Sequence, residues 1–167
     1  QVAHAMFVGV ASGTQPINGY NFGAKQYGRV KQTFRVAVTV SFIISIVWFG
    51  IFQLGGGFMA GLFVKNEPLY LEFAVFCFRL YMLGFFVYGL PQVTASFFQA
   101  IGKPVKSLLV ALSRQIIFLI PLALILSGRF GLTGVLAAAP IADVLACLLA
   151  AVLIWTEFQF WKKNSMA

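Results

Sequence analysis

Four polar side chains in an otherwise apolar stretch could hold an organic cation. Tyr81, Tyr88, Gln92 and Gln99 lie within residues 80–102, and at about 100° per residue on an α-helix they fall within about 40° of one another. Aromatic faces attract cations, and amides hydrogen-bond to polar groups. Such a stripe should turn away from lipid, which predicts that it lines a central cavity. The alternative is hydrogen bonding between helices that only holds a bundle together.

Asp143 is a second candidate for chemistry because it lies near the middle of the apolar stretch 130–155. Acids at such depth are costly and are functional candidates by default. One hypothesis is that Asp143 takes up protons or ions, or pairs with a substrate. The alternative is a buried, neutral acid that is hydrogen-bonded to its neighbours. Its helical neighbours Ala139, Ala146 and Ala150 are small, which predicts that this face packs against protein.

Arg114 is the only charged residue in the apolar stretch 107–126, which suggests a buried pair with Asp143. Side chains on a helix lean towards its N-terminus. On two spans of opposite direction Arg114 would therefore lean towards one membrane surface and Asp143 towards the other. This geometry predicts that Arg114 snorkels to the inner surface and that the pair does not form.

The first segment ends in residues with amide side chains, Gln15, Asn18 and Asn21. We expect this span to break at Gln15-Pro16 and to turn before a basic loop. The three amides could line the inner mouth of a pathway. The preferred interpretation is that they satisfy backbone groups at a helix end broken by proline and glycine.

The composition indicates a membrane protein with several spans. Sixty per cent of the 167 residues are hydrophobic and 10% are charged, against about a quarter charged in soluble domains, and the mean hydropathy is +0.92. The net charge is +8, but the cations form short clusters between apolar runs, as topology signals do. Nucleic acid is therefore not an expected partner, whereas membrane lipid is.

The apolar runs divide the chain into spans and loops, which predicts an all-α, polytopic transmembrane helix bundle. Pro91, within one of these runs, removes an intrahelical hydrogen bond and is a candidate hinge. The expected segments are the end of a truncated transmembrane helix at 1–24, a basic cytoplasmic loop at 25–35, transmembrane helices at 36–57, 69–102, 105–127 and 130–156, and a cytoplasmic tail at 157–167.

The distribution of lysine and arginine predicts the orientation. Cation-rich and cation-poor loops alternate along the chain, and the positive-inside rule places the rich ones in the cytoplasm. These are the loop at 25–35, the turn at 103–106 and the tail with Lys162 and Lys163. We therefore expect a multi-pass protein of the cell inner (plasma) membrane with a cytoplasmic C-terminus, whose basic run at 25–35 also touches anionic lipid.

Four stretches, taken in order, resemble the second half of the multidrug and toxic compound extrusion (MATE) transporters. They are Gly13-Thr-Gln-Pro-Ile-Asn-Gly-Tyr-Asn-Phe-Gly-Ala-Lys25, Phe98-Gln-Ala-Ile-Gly-Lys-Pro104, Arg114-Gln115 with Pro121-Leu122, and Phe130-Gly-Leu-Thr-Gly-Val135 with Pro140-Ile-Ala-Asp143. The resemblance implies the C-terminal lobe portion of a two-lobed, twelve-helix transporter, and hence a longer protein whose N-terminal lobe is missing from this chain.

The same resemblance implies a secondary active efflux transporter that exports organic cationic drugs or toxins by Na⁺ or H⁺ antiport with alternating access. Apart from the coupling ion, no cofactor is expected. One departure is that some members carry an acid just before a Gln-Val pair on the tenth helix, where this chain has Gly89-Leu-Pro-Gln-Val93. This departure puts an ion site there in doubt.

Other classes of function remain as alternatives or are disfavoured. A flippase of the same superfamily for lipid-linked sugars would favour a strongly cationic cavity, and a small non-transporting membrane protein would pack against partner helices. The chain has no Ser-His-Asp set and no P-loop, so an enzyme is not expected. Cys77, Cys147 and the single His4 lack the spacing of a metal site or a disulfide.

Overall fold

The computed structural model describes residues 2–63, 75–77 and 79–164, and it describes side chains in those ranges except at 56–63, 82 and 163–164. Part of the expected segment at 69–102 and the end of the tail at 157–167 therefore lie outside the described residues. The described chain is helical apart from short turns, with no residue in a strand. The predicted all-α fold is confirmed.

The first helix, α1, runs through Val2–Gly23 without ending at Pro16. The expectation of a break at Gln15-Pro16 is therefore wrong. Proline removes one hydrogen bond of a helix but does not prevent its continuation in a packed bundle. The Thr14 hydroxyl donates to the carbonyls of Val10 and Ala11, each at 3.0 Å, and α1 ends at the turn before Tyr27, where Lys25 has a φ of 57°.

The second helix, α2, spans Tyr27–Phe63 and includes most of the stretch expected as a basic loop at 25–35. The non-helical connection is only the turn around Ala24–Gln26. The basic residues Arg29, Lys31 and Arg35 are themselves good helix formers, so they are compatible with a helix that extends beyond its apolar part. The helix is also longer than the 36–57 that the apolar run predicts.

The third helical segment of the chain is bent. A helical segment that ends in the 3₁₀-helix Met82–Val87 meets α3, Gly89–Ala100, at an angle of 40°. The bend lies at Tyr88, three residues before Pro91. Because proline has no N–H, the intrahelical hydrogen bond that residue 91 would donate to the carbonyl four residues earlier is missing. The position of the bend supports Pro91 as the candidate hinge, although the hinge itself remains a prediction.

The remaining helices form a helical hairpin. Helix α4, Pro104–Leu112, continues through a π-helical segment, Ser113–Leu119, into α5, Ile120–Asn164. Gly131 breaks α5 with φ 58° and ψ −135°, a conformation that only glycine adopts readily. The chain reverses there, a few residues after the turn predicted between 127 and 130. The two arms then lie antiparallel, with Arg114 against Asp143 and Lys103 against Glu157.

Apolar side chains cover the outer surface of the helices, and small or aromatic side chains pack between the helices. Ala139, Ala142, Ala146 and Ala150 on α5 are buried, which agrees with the expectation that this face packs against protein. Two described helical stretches, Tyr27–Gly55 and Pro104–Lys162, are long and apolar enough to cross a membrane, and the bent helical segment would make a third. Because the stretch Pro104–Lys162 contains the hairpin, it can supply two crossings.

Gly84 lies where the 3₁₀-helix touches α5. A Cβ atom at this position would lie 2.8 Å from the Pro140 Cα and would collide with the Asp143 carboxylate. We expect Gly84→Ala to lower the free energy of unfolding by about 2 kcal/mol through overpacking. Denaturant titration in mixed micelles measures this change, and Gly9→Ala, which meets open space, is the control. Equal stability of the two variants would contradict the contact.

Candidate functional site

A cavity of about 210 Å³ opens between α1, α3, the α4–α5 hairpin and the bend at Tyr88. Its wall combines aromatic, amide and charged groups with small apolar ones. Polar groups that converge on a partly apolar concave surface are typical of a small-molecule site. The lining residues are His4, Tyr88, Pro91, Gln92, Ala95, Val110, Ala111, Arg114, Gln115 and Asp143.

The charged wall of the cavity is an ion pair between Arg114 and Asp143. The Arg114 Nε donates to Asp143 Oδ1, and Nη2 donates to Oδ2 at 3.4 Å. The aspartate side chain is 5% exposed and the arginine side chain 26%, so the carboxylate is inside the protein and the arginine is partly exposed. A two-point contact with guanidinium is the strong form of such a pair.

The expectation that Arg114 snorkels away from Asp143 is therefore wrong. That argument gave Arg114 the side-chain direction of a regular α-helix. Arg114 instead lies in the π-helical segment Ser113–Leu119, whose wider turn changes the direction of its side chains. The arginine side chain is also long enough to extend along the helix axis, which an argument from the Cα–Cβ direction ignores.

Tyr88 forms the aromatic wall, and the Arg114 guanidinium carbon lies 4.7 Å from the centroid of its ring. That distance is within the range of a cation–π contact. The tyrosine hydroxyl is 2.8 Å from His4 Nδ1, and its ring stacks on Phe85 with centroids 5.5 Å apart. The ring is therefore held in place from two other sides.

The predicted polar stripe is divided by the structure. Tyr88 and Gln92 line the cavity, but Tyr81 does not, and Gln99 lines a separate groove with Pro104 and Ser107. The calculation of the stripe assumed 100° per residue throughout. The 3₁₀-helix between Tyr81 and Tyr88 turns by about 120° per residue, so this segment does not keep the 100° spacing. Gln99 keeps the face but lies about 10 Å further along the axis.

The amides at the end of α1 lie away from the cavity wall. The Asn21 side chain donates to the Ile17 carbonyl at 2.8 Å, as expected of a group that satisfies a helix end. Asn18 is buried, and its Oδ1 has no hydrogen-bond partner among the described residues. Gln15 is half-buried. The structure thus gives Gln15 and Asn18 no contact with the cavity, and a role for them in the pathway remains a prediction.

Sequence reasoning missed His4 and Gln115 as cavity residues. His4 is 84 positions from Tyr88, so no local pattern links the two, and a single histidine was weighed only as a metal ligand. Gln115 follows Arg114 inside an apolar run, and its polarity there could have identified it as a cavity residue. Among the described residues no group of three or more His, Cys, Asp or Glu side chains could hold a metal ion.

A second charged cluster lies at the opposite end of the hairpin from Gly131. Glu157 is 1% exposed; its Oε1 accepts from Lys103 Nζ at 2.5 Å and from Trp161 Nε1 at 2.8 Å, and its Oε2 accepts from Lys106 Nζ at 2.8 Å. Trp161 also packs against Phe22 and Tyr27. The cluster ties the end of α5 to the α3–α4 turn and to the α1–α2 turn.

Comparison with known proteins shows which family the chain resembles. The MatE family model matches residues 2–125. The multidrug export protein MepA of Staphylococcus aureus (strain MSSA476) is 30% identical over 155 residues, which are 92% of this chain and 33% of MepA. MepA of Staphylococcus saprophyticus is 27% identical over 154 residues, with the same coverage. The chain spans about a third of the length of these curated relatives.

Solved structures give the same result. The MATE multidrug transporter DinF-BH is 39% identical and superposes with a TM-score of 0.83 over 90% of this chain and 33% of that one. An inward-facing multidrug resistance MATE family transporter superposes with a TM-score of 0.90 over 98% of this chain and 38% of that one. At 19% identity the second likeness shows the fold alone.

The fold and the apolar helices define the class as a helical integral membrane protein. The family model covers most of the chain, and the chain therefore belongs to the MatE, or MATE, family.

Proposed function

We propose that this chain forms the C-terminal lobe portion of a multidrug efflux transporter that exports small organic cations by Na⁺ or H⁺ antiport with alternating access. An N-terminal lobe of the same protein would complete the pathway. The protein would lie in the cell inner membrane with a cytoplasmic C-terminus. The observation that carries the proposal is the cavity itself, where Tyr88, Gln92 and Asp143 converge.

The chemistry of the cavity suits an organic cation. The Tyr88 face can hold a delocalised positive charge, Gln92 can hydrogen-bond to it, and the Asp143 carboxylate can balance it. Names of relatives support the same class, since MepA is a multidrug export protein and DinF-BH is a MATE multidrug transporter. Sites at the interface of two repeats are common in such transporters.

Asp143 is the proposed coupling residue of this half. A carboxylate at this depth can exchange a proton or an ion for a substrate cation. Its alternative role is structural, because it already satisfies Arg114. Asp143→Asn preserves the shape and separates the two roles: unaltered export would remove Asp143 from the mechanism.

A flippase for lipid-linked sugars is the alternative within the superfamily. The cavity holds one cation, Arg114, which was not expected there, but its charge is balanced by Asp143. A pyrophosphate group would meet no net positive charge among the described cavity residues, so this alternative is not favoured. A small non-transporting membrane protein is the other alternative.

The test begins with the DNA sequence upstream of the Gln1 codon. An open frame with about seven more apolar spans of roughly 20 residues supports the proposal, whereas a start codon just upstream favours the small membrane protein. The complete frame is then expressed in cells that lack their own drug pumps. We expect ethidium accumulation to fall severalfold, and unchanged accumulation would contradict export of this class of cation.

Tyr88→Leu in the complete protein is expected to reduce ethidium efflux at least fivefold, because the aromatic wall of the cavity is lost. The matched control is Tyr20→Leu, since Tyr20 is 78% exposed on α1 and should retain efflux within about twofold. The measurement is initial efflux rate normalised to the amount of protein in the membrane. Equal loss in the two variants would argue against a specific role for the cavity.

A further inference from the structure

The Arg114 guanidinium makes the contacts in the cavity that a bound organic cation would make. The Arg114 guanidinium is planar and delocalised, lies 4.7 Å from the Tyr88 ring centroid and donates two hydrogen bonds to Asp143. An aromatic face and a carboxylate are the two groups that an organic cation needs in such a cavity. Both are already engaged by a side chain of the protein.

We propose that Arg114 is an internal competitor for the cation site, and that a substrate cation binds by displacing its guanidinium from Tyr88 and Asp143. The inference rests on the proposed function for the identity of the natural ligand. It adds a specificity-determining residue: the cavity admits only cations whose contacts with Tyr88 and Asp143 outweigh those of Arg114. Asp143 keeps one monovalent cation as its partner in the exchange, while the Arg114 guanidinium stays on the chain and turns into the cavity that it lines.

The surroundings of the pair permit this exchange. Asp143 is 5% exposed, whereas 26% of the Arg114 side chain is exposed and Arg114 lines the cavity, so the arginine is the more accessible partner. Arg114 also lies on the π-helical segment Ser113–Leu119, a local departure from α-helical geometry that is frequent at functional sites. The mobile partner of the pair is therefore the arginine.

Tyr88 and Asp143 would keep their positions when Arg114 leaves. The tyrosine ring is held by His4 through its hydroxyl and by Phe85 through stacking. Asp143 is held by close packing, since its carboxylate and the Pro140 backbone lie against Gly84. The vacated place thus remains a formed site with an aromatic face and a carboxylate. A preformed site of this kind binds without a large ordering cost.

The test uses benzamidinium, a planar monovalent cation, and the purified protein of the complete reading frame in detergent micelles. Isothermal titration calorimetry should show that Arg114→Ala binds benzamidinium at least tenfold more tightly than the wild type. Arg114→Ala/Asp143→Asn should lose this gain because the carboxylate is gone. Benzamide, the neutral isostere, should show no gain in either variant.

Two results would overturn the inference: an Arg114→Ala protein that binds benzamidinium no more tightly than the wild type, or a double variant that keeps the gain. If Arg114→Ala is not recovered folded, Arg114→Lys replaces it, since lysine keeps the charge but lacks the planar guanidinium and competes less well. A gain of about threefold in affinity is then expected, and the absence of any gain would overturn the inference.

The outcome is separable from that of the proposed function. A protein that exports ethidium without any gain in the Arg114 variants refutes the competitor and leaves the efflux function standing. A protein that exports no ethidium, yet shows the gain and its loss in the double variant, keeps the cation site and refutes the efflux function.

Discussion

Replacement of Asp143 by leucine is expected to lower the free energy of unfolding by about 3 kcal/mol. The substitution leaves the Arg114 guanidinium without its carboxylate, although only 26% of the arginine side chain is exposed. Breaking a buried pair from one side costs more than the pair contributes, because the remaining charge is uncompensated. Denaturant titration in mixed micelles, followed by tryptophan fluorescence, measures the change.

The control removes both charges. Arg114→Met/Asp143→Leu fills similar volume without an unpaired group and should recover most of the lost stability. The coupling energy of the cycle then reports the pair itself. A double variant as unstable as Asp143→Leu alone would show that the cost lies in packing around leucine and that the charge left on Arg114 matters little.

Removal of Glu157, the other buried carboxylate in the part of the chain that the structure describes, should have the second largest effect. Glu157→Ala is expected to lower the free energy of unfolding by about 2–3 kcal/mol, because it deletes hydrogen bonds from Lys103, Lys106 and Trp161 together. The two lysine side chains are 33% and 37% exposed, so water can solvate them after the substitution. This partial exposure makes the expected loss smaller than at Asp143.

Thr156→Ala is the matched control, since the neighbouring Thr156 is exposed and its hydroxyl donates only to the Leu153 carbonyl. Its stability should change by no more than about 0.5 kcal/mol. Glu157→Gln keeps the shape and can accept one of the bonds, so it should lie between the two. A Glu157→Ala protein that is as stable as Thr156→Ala would mean that the cluster does not hold the end of α5.

Composition and apolar run length were enough to predict the helical membrane fold, because both reflect transfer of side chains and backbone into lipid. Helix ends were harder to place. The loop expected at 25–35 is mostly part of α2, and the break expected at Gln15-Pro16 is absent. In each case the local signal, a basic run or a proline, was compatible with a helix that packing in the bundle extends.

The candidate site was predicted in part. Tyr88, Gln92 and Asp143 were identified from polarity within apolar runs and do line one cavity. Tyr81 was placed with them by a periodicity that the 3₁₀-helix Met82–Val87 interrupts. The pair of Arg114 with Asp143 was rejected on side-chain direction, since a π-helical segment cannot be anticipated from residue types. His4 joins the cavity through a contact across 84 positions, which only tertiary structure reveals.

The hairpin at Gly131 has a consequence for biosynthesis. Arg114 and Asp143 lie on its two arms, so each arm alone would carry an isolated charge into the bilayer, at about 2.5–3.5 kcal/mol on translocon insertion scales. When both arms leave the translocon together, the two charges enter lipid as a neutral unit. We therefore expect the two spans that flank Gly131 to enter the membrane as a single unit.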